Sequence, residues 1–397
     1  MRFVIVGGGV AGITAALELS NRKRGEIAVY SDETYPYYYR PQLTEFLSGG
    51  IALERLLRRD LAWYKGRGID VHLGRSVTRI EPSAKSITLA DGTEVAYDKL
   101  LLATGSVPSV PPLKGVDKNG IFTWRTLADT LELEKVASSC GNTIVLGGGL
   151  LGLEAARGLL GFCQNVTVLE FFPRLLPRQL DVEGAAMLQR FVESLGIRVV
   201  VGAQAEEVVG DKAVTGLRLK DGREFPAGMV LVAAGVRCQA RLAQECGLVV
   251  DRGIVVDAYM ATSDPDIYAA GDVAVFKGYS WAIAPIAQAQ GRIAAANMAG
   301  DATAYDVVVP STTLKVVGID VSSVGIVNPE AGNGDASSYV QIPVMDAVAN
   351  VYKKIVLCDG KIAGSIVINN KGLAKDLESR IAQREAMTPD QARALLA

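Results

Sequence analysis

The stretch FVIVGGGVAG at residues 3–12 decides the fold, and the related stretch TIVLGGGLLG at residues 143–152 repeats it. In each copy a short apolar strand leads into a glycine turn and then into a helix rich in alanine and leucine. The missing side chains let the backbone approach a pyrophosphate at the positive end of the helix dipole. The predicted phosphate-binding glycines are Gly7, Gly9 and Gly12 in the first copy and Gly147, Gly149 and Gly152 in the second. Glycine turns also occur for packing reasons, but the flanking strand and helix in both copies favour two dinucleotide sites.

An acidic residue after the next strand should bind a ribose hydroxyl in each site. In the second copy the strand at 166–169 ends on Glu170, where a carboxylate accepts the adenosine 2′-hydroxyl and repels a 2′-phosphate. This position favours NADH over NADPH. In the first copy Ser31 follows the strand at 27–30, so the acid is displaced by one residue and we assign the ribose to Asp32.

Composition excludes several other classes of protein. The chain has 397 residues, a net charge of −2 and no basic tract that favours nucleic acid. It has no apolar run of roughly 18 residues, and its first strand begins too early for a signal peptide, so we expect a soluble cytoplasmic protein without a membrane partner. The five cysteines form no C-x-x-C pair, which predicts neither a metal site nor a redox disulfide.

The element pattern predicts three domains. The first glycine unit occupies 1–112 and resumes at 248–305, because a buried strand ending on Asp272 and a helix at 285–299 follow the second unit at 113–247. Strands are expected at 70–73, 86–89 and 99–102. The third domain, 306–397, is expected to begin with a strand at 312–317 and to contain a hairpin at Asp359-Gly360. A last helix should begin after Thr388, within a capping box.

The motifs together resemble the FAD-dependent pyridine nucleotide-disulfide oxidoreductases. The resemblance rests on the two glycine turns, Ala103-Thr104-Gly105 and Ala270-Gly271-Asp272, and it covers essentially the whole chain. It implies an α/β fold with two Rossmann-like, glutathione-reductase-type dinucleotide-binding domains and a small α+β C-terminal domain. It also implies FAD on the first turn, with Asp272 at the ribityl–phosphate region, and NADH on the second.

Residues 36–43, PYYYRPQL, narrow the resemblance to NADH:rubredoxin oxidoreductases, nitrite reductase flavoproteins and oxygenase-coupled ferredoxin reductases. Arg40 and Pro41 are then expected near the FAD pyrophosphate. Ferredoxin reductases of this kind usually have a lysine at the position of Glu45, and nitrite reductases carry additional siroheme and iron–sulfur modules. The Arg-Pro-x-Leu-x-Glu form is therefore most similar to the rubredoxin reductase and nitrite reductase group. The resemblance also places Glu45 and Glu154 on opposite sides of the flavin–nicotinamide stack, as catalytic candidates.

The expected activity is electron transfer from NADH through FAD to a small one-electron carrier such as rubredoxin. Two alternatives stay open at this point: an NADH oxidase that uses oxygen, and a flavoprotein that feeds electrons into a larger redox complex. The chain could act alone, as a homodimer or as a subunit.

Overall fold

The computed structural model describes residues 1–306, 311–316, 318–329 and 338–397. Its strands, in chain order, are β1 (Arg2–Val6), β2 (Glu26–Tyr30), β3 (Ile69–His72), β4 (Val77–Glu81), β5 (Ser86–Leu89), β6 (Glu94–Ala96), β7 (Lys99–Leu102), β8 (Ser106–Pro108), β9 (Ile121–Thr123), β10 (Asn142–Leu146), β11 (Asn165–Leu169), β12 (Ile197–Val200), β13 (Ala205–Val209), β14 (Gly216–Leu219), β15 (Glu224–Pro226), β16 (Met229–Val232), β17 (Val236–Cys238), β18 (Ile254–Val256), β19 (Ile267–Ala269), β20 (Ala274–Phe276), β21 (Ser311–Val316), β22 (Ile319–Gly325), β23 (Tyr339–Asp346), β24 (Val351–Cys358) and β25 (Lys361–Ile368).

The helices are mostly short, and the longest follow the nucleotide-binding strands. In chain order they are α1 (Val10–Arg22), α2 (Leu43–Leu47), α3 (Leu53–Leu56), α4 (Leu61–Lys65), α5 (Leu127–Ala137), α6 (Leu150–Leu159), α7 (Val182–Ser194), α8 (Arg241–Glu245), α9 (Ala284–Met298), α10 (Lys371–Ala382) and α11 (Pro389–Leu396). None of the helices in the described residues is long and apolar enough to cross a bilayer.

The described residues form two compact units. Unit 1 contains residues 1–108, 125–127 and the described part of 236–308. Unit 2 contains residues 109–124, 128–235 and the described part of 309–397.

Unit 1 is built on a five-stranded parallel sheet in the order β19-β7-β1-β2-β3. The strands are apolar because both faces are covered: Phe3, Val4 and Ile5 of β1 are fully buried. Helices α1 and α9 pack closely together, since a side-chain carbon at Gly291 would lie 2.5 Å from the carbonyl oxygen of Ala11. The same unit also contains a three-stranded antiparallel sheet, β4-β5-β6.

Unit 2 repeats this arrangement with the parallel sheet β12-β11-β10-β16-β9 and the antiparallel sheet β13-β14-β15. The central strand β10 pairs with β11 in register from Asn142↔Asn165 to Leu146↔Leu169. Both units therefore place a glycine turn at the carboxyl end of the central strand, where the strand order reverses. Open parallel sheets bind ligands at this point.

The C-terminal part of unit 2 is an antiparallel sheet, β21-β22-β25-β24-β23, covered by helices α10 and α11. The hairpin expected at Asp359-Gly360 joins β24 to β25, with both residues at positive φ. Thr388 caps α11, and Gln391 completes the expected capping box. The expected strand at 312–317 corresponds to β21, and its position 317 lies outside the described residues. The α/β fold with two dinucleotide-binding units and an α+β C-terminal part is confirmed.

Candidate functional site

The first glycine turn has one open position between two crowded ones. A Cβ at Gly7 would lie 2.1 Å from the carbonyl oxygen of Ala103, and a Cβ at Gly12 would lie 2.0 Å from that of Gly7. A Cβ at Gly9 would have no atom within 4 Å. Gly7 and Gly12 are therefore required by packing, whereas the chain itself does not require glycine at Gly9. An open glycine at the start of a helix leaves the space that a bound pyrophosphate needs.

The second turn has the same geometry. A Cβ at Gly147 would meet the carbonyl oxygen of Ala233 at 2.4 Å, and one at Gly152 would meet that of Gly147 at 2.0 Å. Gly149 again faces open space. Gly9 and Gly149 are the N-caps of α1 and α6, and neither helix has a side-chain cap or an acid in its first turn. Their backbone N–H groups remain available to an anion.

Three predicted motifs of unit 1 meet at the carboxyl ends of neighbouring strands. Gly7 follows β1, Ala103-Thr104-Gly105 follows β7, and Gly271 follows β19. Thr104 donates its hydroxyl to the carbonyl of Gln239 at 2.8 Å, and the carbonyl of Gly105 accepts the N–H of the same residue at 3.0 Å. These contacts fix the loop after β7 rather than leaving its hydroxyl for a ligand.

The Gly271-Asp272 turn is fixed beside α1. The buried Gln290 accepts the N–H of Gly271 at 2.8 Å, and a Cβ at Gly271 would lie 3.0 Å from the Cβ of Ala11. Position 271 therefore favours glycine for two reasons: its φ is +84°, and the nearby Cβ of Ala11 leaves little space for a side chain. The turn brings Asp272 to the edge of the sheet that carries the first glycine turn.

Asp272 belongs to a polar cluster that the sequence did not predict. Its Oδ2 accepts the hydroxyl of Ser106 at 2.7 Å and the Nη2 of Arg125 at 2.5 Å. Arg125 also donates to the hydroxyl of Ser106 at 2.8 Å. Arg125 lies in the short segment 125–127 that belongs to unit 1, although its neighbours in sequence belong to unit 2. No local motif marked it, because its partner is more than a hundred residues away in the sequence.

A cleft lies at the first glycine turn, and Gly8 and Gly9 are among the residues that line it. Glu33 also lines this cleft, whereas the predicted Asp32 is exposed and is not among the lining residues. Glu33 accepts the Nη2 of Arg40 at 2.7 Å and the hydroxyl of Tyr38. Tyr38 in turn accepts the N–H of Leu127 at 2.8 Å. Burial raises the pKa of Tyr38, and the Glu33 carboxylate raises it further, so this hydroxyl stays protonated and donates.

Arg40 therefore lines the cleft of the first glycine turn. Its contact with a pyrophosphate remains a prediction. The other lining residues include Gly8, Gly9, Ser31, Tyr35 and Tyr37. Arg40 begins a 3-10 turn, Arg40–Gln42, in which Pro41 is exposed. The signal that could have identified Glu33 is its spacing of seven residues from an arginine already assigned to the pyrophosphate.

Glu170 lies under the second glycine turn. It is 5% exposed, and its two carboxylate oxygens accept the N–H of Gly148 at 2.5 Å and the N–H of Phe172 at 2.8 Å. The carboxylate thus holds the middle of the glycine turn in addition to its predicted role toward a ribose. The exposed rings of Phe171 and Phe172 follow it directly, in an edge-to-face pair with centroids 5.3 Å apart.

The catalytic candidates Glu45 and Glu154 lie in different units. Glu45 is exposed in the first turn of α2 in unit 1, and Glu154 is half-buried on α6 in unit 2. Their proposed pairing remains a prediction.

Across the described part of the chain, all five cysteines are free thiols, and no group of three or more histidine, cysteine, aspartate or glutamate side chains is arranged to hold a metal ion. Cys163 is buried, and the other four are half-buried. Burial raises the pKa of both Cys163 and Cys246. These two thiols are therefore poor nucleophiles near neutral pH.

Similarity to known proteins agrees with this geometry. The pyridine nucleotide-disulphide oxidoreductase family matches residues 1–300, and the rubredoxin NAD⁺ reductase C-terminal domain matches residues 310–385. The nitrite reductase (NAD(P)H) of Bacillus subtilis (strain 168) is 36% identical over 389 residues, which are 97% of this chain and 47% of that protein. The chain thus spans about half the length of that curated relative.

Two further proteins match almost end to end. The NADH-rubredoxin oxidoreductase of Clostridium acetobutylicum is 30% identical over 96% of this chain and 94% of its own length. The solved covalent putidaredoxin reductase–putidaredoxin complex matches with a TM-score of 0.88 and 27% identity, over 98% of this chain and 94% of that chain. Members of the matched family are NAD(P)H-dependent flavoprotein oxidoreductases that use FAD. The chain therefore belongs to the pyridine nucleotide-disulphide oxidoreductase family and carries the C-terminal domain of the rubredoxin NAD⁺ reductases.

Proposed function

We propose that the protein oxidises NADH and passes the electrons through FAD to a small one-electron carrier protein such as rubredoxin. The observation that carries this proposal is the pair of open glycines, Gly9 and Gly149, each at the start of a helix without a side-chain cap. Two equivalent pyrophosphate cradles in one chain fit one flavin dinucleotide and one nicotinamide dinucleotide. The almost full-length similarity to an NADH-rubredoxin oxidoreductase supports the choice of acceptor.

The residues of unit 1 hold and orient the flavin nucleotide. The first glycine turn takes the pyrophosphate, Glu33 or the exposed Asp32 takes the ribose, and Arg40 supplies a positive charge at the cleft. Asp272, fixed by Ser106 and Arg125, lies at the sheet edge where the resemblance places the ribityl chain. When bound, FAD would supply the chemistry that links a two-electron donor, the hydride of NADH, to an acceptor of single electrons.

Helix α9 adds an electrostatic contribution. It begins with Ala284 and Pro285 and has no side-chain cap, so its first backbone N–H groups can face negative charge. We assign this helix end to the edge of the flavin ring on which charge gathers after reduction.

A second candidate function follows from the similarity to the nitrite reductase, because this chain matches about half of that protein. In that role the chain would be the NADH-oxidising part of a larger redox assembly. A stable complex recovered during purification from the source cells would favour it over the stand-alone reductase.

The deciding experiment is steady-state NADH oxidation with rubredoxin, ferredoxin or ferricyanide under anaerobic conditions, compared with oxygen as the added acceptor in a separate assay. We expect rubredoxin to give a kcat/KM well above that of oxygen. A rate with oxygen that equals the best carrier rate would support an NADH oxidase and contradict the proposal.

We also propose that Glu45 and Glu154 flank the nicotinamide. Two carboxylates close together in a dry site repel each other, and their negative charge would stabilise the positive ring of NAD⁺ as hydride leaves. Glu45→Lys should change the pH profile of flavin reduction by NADH, measured by anaerobic stopped flow. Glu54→Lys, a change of the same charge at an exposed position on α3, is the control. If Glu45→Lys keeps both the rate and the pH profile of the wild type, Glu45 has no role in the reaction.

A further inference from the structure

Unit 1 carries a concentrated positive surface that the site described above does not use. We call it the 55–67 surface, and its five exposed cations are Arg55, Arg58, Arg59, Lys65 and Arg67. Only two acids lie within the same stretch or next to it, Glu54 and Asp60. Asp60 is engaged as the N-cap of α4, where its Oδ1 accepts the N–H of Trp63 at 2.8 Å.

The cations of this surface are not neutralised by neighbouring acids. Within the described residues, none of the five lies within 4.0 Å of a carboxylate oxygen. By contrast, ion pairs hold many other arginines of unit 1, including Arg22, Arg40, Arg75 and Arg79. Five cations without an acidic partner among the described residues thus lie within thirteen residues of the sequence, although the net charge of the whole protein is −2.

Trp63 organises the middle of the surface. The guanidinium carbons of Arg59 and Arg67 lie 3.9 Å and 3.6 Å from its ring centroid. Two guanidinium groups at these distances cannot share one ring face, so the indole lies between them. Stacking restricts the two arginines, and the Nη1 of Arg67 also donates to the carbonyl of Trp63 at 3.4 Å. Among the described residues no carboxylate pairs with either guanidinium, so both can still bind the carboxylates of a partner. The loss of side-chain entropy on binding a partner is thereby reduced.

The 55–67 surface is connected to the cleft of the first glycine turn by packing: helix α4, which carries Trp63, packs on strand β3, and Val71 of β3 lines the cleft. Tyr37 lines that cleft and packs, with Trp63, against the core of unit 1. The 55–67 surface is therefore linked to the cleft through α4 and β3 of the same unit.

We infer that the 55–67 surface is a docking site for an acidic protein, and that this protein is the one-electron carrier of the proposed function. The inference rests on that function for the identity of the partner. Unpaired, partly preorganised cations beside the cofactor cleft suit the acidic face of a small protein, which they would attract over a distance of about one Debye length, ~8 Å at physiological salt. The small extent of the patch on an otherwise acidic chain disfavours a nucleic acid, whose backbone needs a longer basic track.

The test compares two double variants with the same change of charge. Arg55→Gln/Arg58→Gln removes two cations of the surface without touching the stack on Trp63. Lys212→Gln/Lys220→Gln removes two exposed cations of unit 2 as the matched control. For each protein, loaded with FAD, we would measure calorimetric binding of oxidised rubredoxin and the kcat/KM for rubredoxin reduction, at 20 mM and 500 mM salt. Stopped-flow reduction of the bound flavin by NADH reports on the rest of the enzyme.

We expect the surface variant to lose about three- to tenfold in rubredoxin affinity and kcat/KM at low salt, with the loss shrinking at high salt. Flavin reduction by NADH should be unchanged, and the control variant should behave as the wild type. Equal affinities in both variants and the wild type would overturn the docking site. Binding without rubredoxin reduction would refute the proposed function and leave the docking site standing. The inference is wrong about the partner if the wild type neither binds nor reduces rubredoxin but binds duplex DNA or anionic vesicles through the 55–67 surface.

Discussion

Lys354 and Asp181 form a buried ion pair in unit 2, with 2.7 Å between Nζ and Oδ2. Lys354 lies on β24 of the C-terminal sheet, and Asp181 is the N-cap of α7 in the nucleotide-binding part. Both partners make further hydrogen bonds. The Lys354 Nζ also donates to the carbonyl of Val327 at 3.1 Å, and Asp181 accepts the hydroxyl of Tyr352 at 2.6 Å and the N–H of Gly184 at 3.0 Å. The ion pair fastens the C-terminal sheet to the helix that follows the second ribose-binding strand.

We predict that Lys354→Met destabilises the protein by about 3–5 kcal/mol, because it leaves the Asp181 carboxylate buried without its cation. Chemical denaturation with and without bound FAD should show the loss. Lys361→Met, at an exposed position on the neighbouring strand β25, is the control. A Lys354→Met variant as stable as this control would show that the pair contributes nothing.

The hydroxyl of Tyr352 should make stability depend on alkaline pH. Burial raises the pKa of Tyr352, and the hydrogen bond to Asp181 raises it further. Because the folded-state pKa lies above that of the unfolded chain, this contribution is complete below about pH 10 and is lost as the pH rises further. The wild type should therefore be more stable than Tyr352→Phe at pH 8, and the difference should narrow above pH 10. A difference that stays constant from pH 8 to pH 11 would contradict this prediction, and Tyr259→Phe serves as an exposed control.

Glu170 should set the preference for NADH and also support the glycine turn. Glu170→Ser removes the negative charge that faces a 2′-phosphate, so discrimination against NADPH should relax by about 1–3 kcal/mol, roughly tenfold to a hundredfold in the ratio of kcat/KM values. The same change leaves the N–H groups of Gly148 and Phe172 without their acceptor, which should cost about 1–3 kcal/mol of stability.

The control for this prediction is Glu206→Ser, which removes an exposed acid from the same unit. An unchanged NADH/NADPH ratio in Glu170→Ser would place the specificity in other residues. A wild type that prefers NADPH would refute the assignment directly.

Much of the fold could be predicted because local chemistry determines it. The strands at 86–89 and 99–102, the Asp359-Gly360 hairpin and the Thr388 capping box were all predicted and are all present. Each depends on residues within a few positions of one another. The glycine turns could be located in the same way, since strand, turn and helix are contiguous.

The parts that could not be predicted depend on distant residues. Arg125 reaches Asp272 across a separation of 147 residues, and no periodicity signals such a pair. Glu33 rather than Asp32 lines the cleft, and it is held there by hydrogen bonds from Arg40 and Tyr38. These two residues become its neighbours only when the loop folds back. The buried Asp181–Lys354 pair was missed for the same reason, because each residue alone has the sequence context of a surface charge.

The central claim is that the two glycine turns hold two different dinucleotides, and two matched variants test it most directly. Gly9→Val and Gly149→Val each add a side chain whose Cβ has no atom within 4 Å apart from those of its chain neighbours, so both variants should fold. We predict that purified Gly9→Val contains almost no FAD. Gly149→Val should retain about one FAD per chain, yet its flavin should be reduced by NADH at least about a hundredfold more slowly than that of the wild type. Full FAD content in folded Gly9→Val, or wild-type flavin reduction in Gly149→Val, would contradict the account.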